Sequence, residues 1–377
     1  MSTAAGSAIV IGAGIVGAAC ARELARAGTS VTVLDAGYAG GGTTAAGMGH
    51  LVAMDDSPEQ LALTALSVRM WHELRPSLGG SVEFDSCGTI WVAEREEHMA
   101  AVREKADVYR AHGLACEVLT PARLAQLEPN LRLGVAGAML VPGDAVLYPP
   151  GAALALLNDA RTHGATVREA CTVDEVSAHA VRCGSETLHA DVIVNAAGAR
   201  AAQLTPGLPI VPRKGHLAIT DRAPGFVRHQ LVELGYLASA HQMTSESVAF
   251  NVQPRTTGQV LIGSSRELVG WDASTNRRLL RQMLDRAASF MPALSRLSVL
   301  RTWTGFRPAT PDKLPLIGRW DPVDGLWIAA GHEGLGITTS LGTARILVDL
   351  VLGRPTPFDA SAFAPVRALT STSMAVH

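Results

Sequence analysis

Short apolar runs, each ending in small residues, recur along the chain. Ala8–Ile11 reads as a buried strand. A glycine turn follows, then a helix, then a second strand that closes at Asp35. The segment Gly37–Gly49 is too rich in small residues for a helix core and is expected to be a loop. Ser57-Pro58-Glu59-Gln60 carries a helix start, with Ser as N-cap and Pro at the first position. Leu63, Leu66, Met70, Trp71 and Leu74 give that helix one apolar face, read as core. Further expectations are a strand at Thr89–Ala93, a helix over about 94–112 stopped by His112-Gly113, and a short helix opened by Thr120-Pro121. A helix over Gly151–His163 comes next. Strands follow at Ala165–Glu169, Val173–Ser177, Ala180–Cys183 and Asp191–Val194. More strands fall within 210–265, then a helix at Arg277–Phe290, a strand at Leu326–Ala330 and a last helix at Thr338–Leu352.

Helix and strand alternate at both ends of the chain, while the middle is strand-rich. This predicts an α/β fold (α+β overall) with a Rossmann-like domain assembled from separated segments and a second, sheet-based substrate domain. The expected division places 1–80, 145–210 and 305–377 in the first and 81–144 with 211–304 in the second.

The first turn has chemistry of its own. Gly12, Gly14 and Gly17 form G-x-G-x-x-G between strand and helix. The first glycine permits the tight turn, the second lets a pyrophosphate approach the backbone, and the third lets the helix pack close to the strand. Ile15 and Val16 open a helix whose N–H groups and positive dipole end face the phosphates. Asp35, followed by Ala36, stands 18 residues beyond Gly17, where a carboxylate can take ribose hydroxyls. These features together predict an adenine dinucleotide.

Three more glycine-rich strand ends favour FAD over a nicotinamide: Gly41–Gly49, Asn195–Gly198 and Gly331–Gly336. An extended cofactor needs several such close approaches. A helix beginning at Gly336–Thr338 would stabilise negative charge on the reduced ring.

Composition narrows the class. The 377 residues are 47% hydrophobic and 18% charged with net charge −2, which suits a globular enzyme and offers no basic field for nucleic acid. The run Ala8–Ala21 lacks a preceding basic region, so it is not read as a signal peptide, and no apolar stretch reaches the about 18 residues of a membrane span. The five cysteines (20, 87, 116, 171, 183) form no C-x-x-C pair, so no metal site is expected and reduced thiols in a cytoplasmic protein are.

Five blocks in order resemble the FAD-dependent amino-acid oxidase and dehydrogenase family: IGAGIVGAACARELARAGTSVTVLD, GGTTAAGM, TVDEV with VIVNAAG, GFRPATPDKLPLIG and AAGHEGLGITTSLGTA. The family includes glycine oxidase, sarcosine oxidase and D-amino-acid dehydrogenases. The resemblance implies FAD contacts at Gly42, Thr43, Thr44, Gly47 and Met48 in the second patch, at Val173, Ala197 and Gly198, and at Gly331, Gly334, Leu335, Gly336, Ile337 and Thr338. It implies that Arg307 binds the substrate carboxylate, a role suited to a planar guanidinium that stays charged when desolvated. His50 and His332 are implied beside the flavin. Glycine oxidases tend to carry a tyrosine and an arginine where this chain has Asn251 and Gly334, which implies a bulkier or more polar substrate than glycine.

The segment TTAAGMGHLVAMDDSPEQLALT resembles β subunits of heteromeric D-hydroxyproline dehydrogenases and, more distantly, hydrogen cyanide synthase. This implies companion electron-transfer subunits, membrane association only through them, and a small amino or imino acid bearing a carboxylate as substrate. The chemistry implied is hydride transfer from the α-carbon to flavin N5. A stand-alone glycine- or sarcosine-type oxidase using oxygen, a nicotinamide dehydrogenase and a non-catalytic flavin-holding subunit are the alternatives.

Overall fold

The structure, a computed structural model, describes residues 6–234 and 246–367. Its first sheet has six strands in the order 316–319, 326–330, 192–195, 7–11, 30–34 and 166–168. All neighbours are parallel except the edge strand Leu316–Arg319. Alternation along Ser7–Ile11 shows how its two faces are covered. Ala8 and Val10 pack against the helices Ile15–Arg26, Pro149–Thr162 and Gly336–Val351. Ile9 and Ile11 point the other way, toward a three-stranded sheet of Glu175–Ser177, Ala180–Cys183 and Glu186–His189.

The second sheet has eight strands in the order 299–309, 211–222, 259–267, 246–254, 230–233, 89–93, 137–141 and 117–119. Helix Arg277–Phe290 covers one face, where Phe250 and Phe290 stack with centroids 4.3 Å apart. Residues of opposite parity on several strands look across at the first sheet. Phe250 and Val252 face the helix, while Asn251 lines the space between the layers.

Several expectations shift. The patch 37–49 contains a one-turn helix, Gly42–Ala45, so it is not wholly loop. The strand placed at Val173–Ser177 starts at Glu175, which leaves Val173 in the turn before it. Strands Gly137–Val141 and Val299–Ala309 lie outside the expected strand regions, and Gln230–Glu233 falls within the expected 210–265 region. The boundary expected between 304 and 305 falls inside Val299–Ala309, which pairs along its length with Val211–Arg222. Part of the expected strand region, 235–245, lies outside the described residues.

The window Glu333–Val351 is long and apolar enough to span a membrane by composition, contrary to the reading that no stretch approaches that length. In the structure it is a core element. Eleven of the sixteen residues of helix Gly336–Val351 are buried, Gly342 N–H donates to Ser67 Oγ at 3.1 Å, and Trp71 Nε1 donates to the Thr338 carbonyl at 3.2 Å.

Candidate active site

The glycine turn sits where the first parallel strands end. Gly12 has φ +105°, and a Cβ there would lie 2.6 Å from the Ala196 carbonyl oxygen. A Cβ on Gly17 would press into the Gly12 carbonyl, with that carbon 3.0 Å away. Gly17 therefore closes the turn from beneath and does not line the cavity above. The Asp35 carboxylate accepts from Ala13 N–H at 2.7 Å and Gly37 N–H at 2.8 Å, so it also holds the two loops together.

The second glycine patch is tied down at both ends. Thr44 Oγ1 accepts from Ile15 N–H at 2.9 Å, which sets the patch on the first helix. Thr43 Oγ1 donates to the Phe306 carbonyl at 2.7 Å, which anchors it beside Arg307. Further along, Gln253 Nε2 donates to the Met48 carbonyl at 2.8 Å. Thr338 Oγ1 donates to the His50 carbonyl at 2.9 Å and accepts from Val52 N–H at 3.3 Å. Thr338 thus fixes the strand bearing His50 without lining the cavity.

These contacts enclose an elongated cavity of about 690 Å³, within the usual range for small-molecule sites. It collects Gly12, Gly14, Ile15, Val16, Asp35 and Ala36 at one end, then Gly42 through Thr44, Gly47, Met48, Val173, Ala197 and Gly198. Gly334, Gly336, Ile337, His50, Asn251, His332 and Arg307 complete the match with the sequence-predicted set. Gly17, Gly331, Leu335 and Thr338 are the predicted residues that stand outside its lining. A Cβ at Gly331 (φ +83°) would stand 2.7 Å from Thr310 Cγ2, and Leu335 faces a smaller adjoining cavity.

At the far end, the Arg307 guanidinium lies over Gly215 and donates through Nη1 to the Ser265 carbonyl at 3.0 Å. Among the described residues, His50 Nε2, Asn251 Oδ1 and Ser264 Oγ are buried polar atoms of the cavity lining without a hydrogen-bond partner. Burial lowers the His50 pKa to about 4, with the Arg307 charge adding to this and the Gln253 amide opposing it. His332 is buried, which lowers its pKa to about 3, and its Nε2 meets Thr343 Oγ1 at 3.0 Å. Both imidazoles are neutral at pH 7. His332 is engaged with the last helix, whereas His50 keeps a nitrogen for something else.

Sequence reasoning missed Gly215, Ser264 and Glu333. Glu333 is partly buried and faces Arg266 at 3.5 Å and Arg213 at 3.7 Å. No local motif marks Gly215 and Ser264, which strand pairing brings to the site, whereas Glu333 lies inside the block AAGHEGLGITTSLGTA, in the turn before the last helix.

An extended dinucleotide suits this cavity. Helices Ile15–Arg26 and Gly336–Val351 both begin at it, and neither has a side-chain N-cap. Thr44 Oγ1 takes the Ile15 N–H, and the positive dipole ends of both helices still face an anionic or electron-rich ligand. A Cβ at Gly42 or Gly198 would meet no atom within 4 Å, which leaves open space along the path. The family model for DAO, FAD dependent oxidoreductase, matches residues 7–350. The chain belongs to the DAO family of FAD-dependent oxidoreductases. It is 29% identical to glycine oxidase of Geobacillus kaustophilus, over 95% of this chain and 96% of that one. It is 27% identical to hydrogen cyanide synthase subunit HcnC of Pseudomonas aeruginosa, with 95% of each chain covered. The crystal structure of the G. kaustophilus glycine oxidase superposes with a TM-score of 0.86 at 28% identity, covering 96% of this chain and 98% of that one. As in the rest of the DAO family, FAD is the cofactor, and the fold is the mixed α/β arrangement described above.

Proposed function

We propose that the chain oxidises the CH–N bond of a small amino or imino acid, with Arg307 holding the substrate carboxylate. The observation that supports this most directly is Arg307 lying over Gly215 beside the unpartnered His50 Nε2, Asn251 Oδ1 and Ser264 Oγ. Unpaired buried polar atoms are costly, and a polar substrate relieves that cost.

Bound FAD supplies the two-electron acceptor. The remaining roles fall to the chain. Arg307 pairs the carboxylate in bidentate fashion and so orients the α-carbon hydrogen. Oxidation requires the amine to be neutral, so that its lone pair supports the forming imine. A neutral His50 can accept an N–H from that amine, and the Asn251 amide oxygen can accept another. As hydride leaves the α-carbon and the N–H proton is released to solvent, the C–N bond becomes an imine, which water hydrolyses to an oxo acid and an amine, the two joined in one molecule when the substrate is cyclic.

Glycine oxidases among the similar chains support amino-acid oxidation as the reaction class. Within that class D-hydroxyproline is the substrate the sequence resemblance selects. Transfer of electrons to companion subunits is the matching assembly, and the likeness to a hydrogen cyanide synthase subunit favours it. The purified holoprotein, supplied with D-hydroxyproline, glycine and sarcosine, tests both points. Turnover with an artificial dye and no peroxide in air supports the dehydrogenase. Peroxide released stoichiometrically identifies an oxidase, and no turnover with either acceptor rejects the reaction class.

A further inference from the structure

The Arg307 side chain crosses strand Val211–Arg222 at Gly215 and reaches the strand beyond, where its Nη1 donates to the Ser265 carbonyl at 3.0 Å. Regular pairing between strands Val211–Arg222 and Gln259–Glu267 lapses between Lys214 and Ala218. Such register shifts re-aim side chains beside a site. Within the lapse His216 N–H donates to Ser265 Oγ at 2.9 Å, and His216 Nδ1 meets the same oxygen at 2.8 Å. On the other side of the ring, Asn276 N–H donates to His216 Nε2 at 3.0 Å. His216 and Ser265 are both fully buried.

The Asn276 amide decides where the ring carries its proton. A backbone N–H can only donate, so Nε2 must accept and is unprotonated. The proton of the neutral imidazole is then on Nδ1, which donates to Ser265 Oγ. The surrounding charges agree with a neutral ring. Burial lowers the His216 pKa, the Glu267 carboxylate opposes this, and Lys214 and Arg307 add to it. Glu267 is engaged by Lys214 at 3.1 Å. One residue thus gives Ser265 Oγ two hydrogen bonds, at the strand position whose carbonyl meets Arg307.

The segment that supplies Asn276 N–H is itself pinned. Lys214 Nζ donates to the Ser274 carbonyl and Thr304 Oγ1 to the Ala273 carbonyl, each at 3.0 Å. Trp271 of the same segment packs against Phe306, the residue before Arg307, with centroids 5.2 Å apart. An arginine side chain has many rotamers, and a bidentate clamp needs one of them.

We infer that His216 and Ser265 are positioning residues for the oxidation, which set the Arg307 guanidinium through the Ser265 carbonyl before substrate arrives. Neither lines the cavity, so neither acts on the substrate directly. This rests on the reading of Arg307 as the carboxylate clamp.

Acetate is the probe, because it offers Arg307 a carboxylate with no amine to oxidise. Perturbation of the flavin spectrum of the FAD-loaded protein gives its dissociation constant. Anaerobic bleaching gives kcat/KM for the amino or imino acid that reduces the flavin fastest. Ser265→Ala and His216→Leu are expected to keep their flavin, to weaken acetate roughly tenfold and to lower kcat/KM by a similar factor. That is less than the roughly hundredfold cost of a 1 Å misplacement. His216→Asn puts an amide where Nδ1 stood and can still bond Ser265 Oγ, whereas His216→Gln puts one where Nε2 stood and cannot. His216→Asn is therefore expected to regain most of the acetate affinity and His216→Gln to resemble His216→Leu. A merely structural role would lower the melting temperature of both and leave the acetate constant at its wild-type value.

The inference is overturned if flavin-loaded Ser265→Ala binds acetate and turns over like wild type, or if His216→Gln binds acetate as well as His216→Asn. Arg307→Ala separates it from the reading beneath it. Loss of acetate binding in Arg307→Ala, with none in the Ser265 and His216 variants, refutes the positioning role and leaves the clamp standing. Unchanged acetate binding in Arg307→Ala refutes the clamp and the positioning role together. Should His216→Leu not retain FAD, Ser265→Ala, which removes a single oxygen, and the contrast of His216→Asn with His216→Gln decide the question.

Discussion

Gly215→Ala separates the placement of Arg307 from the stability of the fold. The residue sits in the middle of strand Val211–Arg222, and its backbone is not in the left-handed region, so alanine is conformationally acceptable there. Its methyl, however, would stand 2.7 Å from Arg307 Nη2 and 2.8 Å from Cζ, and nearer still to Nη1. Ordinary carbon contacts lie at about 3.5–4.0 Å, so the guanidinium must withdraw by about an ångström. Withdrawal breaks the 3.0 Å bond from Nη1 to the Ser265 carbonyl. The folding cost is that of one hydrogen bond, about 1 kcal/mol, because a flexible side chain gives way and no backbone need move. The catalytic cost is larger. Misplacing a positioning group by about 1 Å can lower turnover roughly a hundredfold. Gly215→Ala should therefore purify with full flavin and a nearly unchanged melting temperature, and lose roughly a hundredfold in kcat/KM. Activity with each substrate and thermal melts of the holoprotein read the two effects separately. Wild-type kcat/KM in a flavin-loaded Gly215→Ala protein would refute the assignment of Arg307 as the carboxylate clamp.

Arg307→Lys keeps the charge and loses the bidentate fork, so kcat/KM should fall by roughly tenfold or more with flavin content unchanged; equal kinetics would contradict the clamp. Gly14→Val would place a branched side chain at Thr44 Oγ1, 3.0 Å from the new Cβ, where that oxygen accepts from Ile15 N–H. Such protein should purify largely without FAD, and a one-to-one flavin content would show that the turn tolerates a side chain. His332 is held neutral in the folded protein, with its pKa lowered to about 3 by burial, whereas the unfolded chain protonates near the ordinary 6.5. Its contribution is thus complete above about pH 6.5 and is lost as pH falls toward 3, to an upper limit of about 5 kcal/mol. Denaturant melts of wild type and His332→Asn across that window should show a shallower slope in the variant, and parallel slopes would count against it.

The nucleotide end of the site was legible because its parts are close in sequence. Gly12, Gly14, Ile15 and Asp35 belong to one strand–turn–helix–strand unit, and local spacing specifies it. The apolar stripe of helix Pro58–Leu74 was readable for the same reason, and Leu63 and Trp71 are fully buried. The Arg307 end is built differently. Arg213 reaches Arg307 only through pairing of strands that are 94 positions apart in register, and strand Val299–Ala309 carries too little alternation to announce itself. Ser264 and Arg266 face the cavities although Ile262, with the same parity, packs on the helix side. The pairing with strand Glu246–Pro254 shifts register between Val248 and Asn251, close to that change of face. A two-residue period cannot foresee such a change. Glu333 stands in the left-handed region at φ +46°, within the turn that leads to the last helix. Its contacts with Arg213 and Arg266 emerge only from the assembled sheets.

The central claim is that an amino or imino acid, held by Arg307, reduces the FAD bound along this cavity. Anaerobic titration of the yellow holoprotein with amino and imino acids, in parallel with Arg307→Ala, measures this directly. The visible flavin band of the wild type should bleach with at least one substrate, while the flavin-loaded variant should bleach only with a chemical reductant. Equal bleaching of both proteins, or none in the wild type with any such acid, would contradict the account.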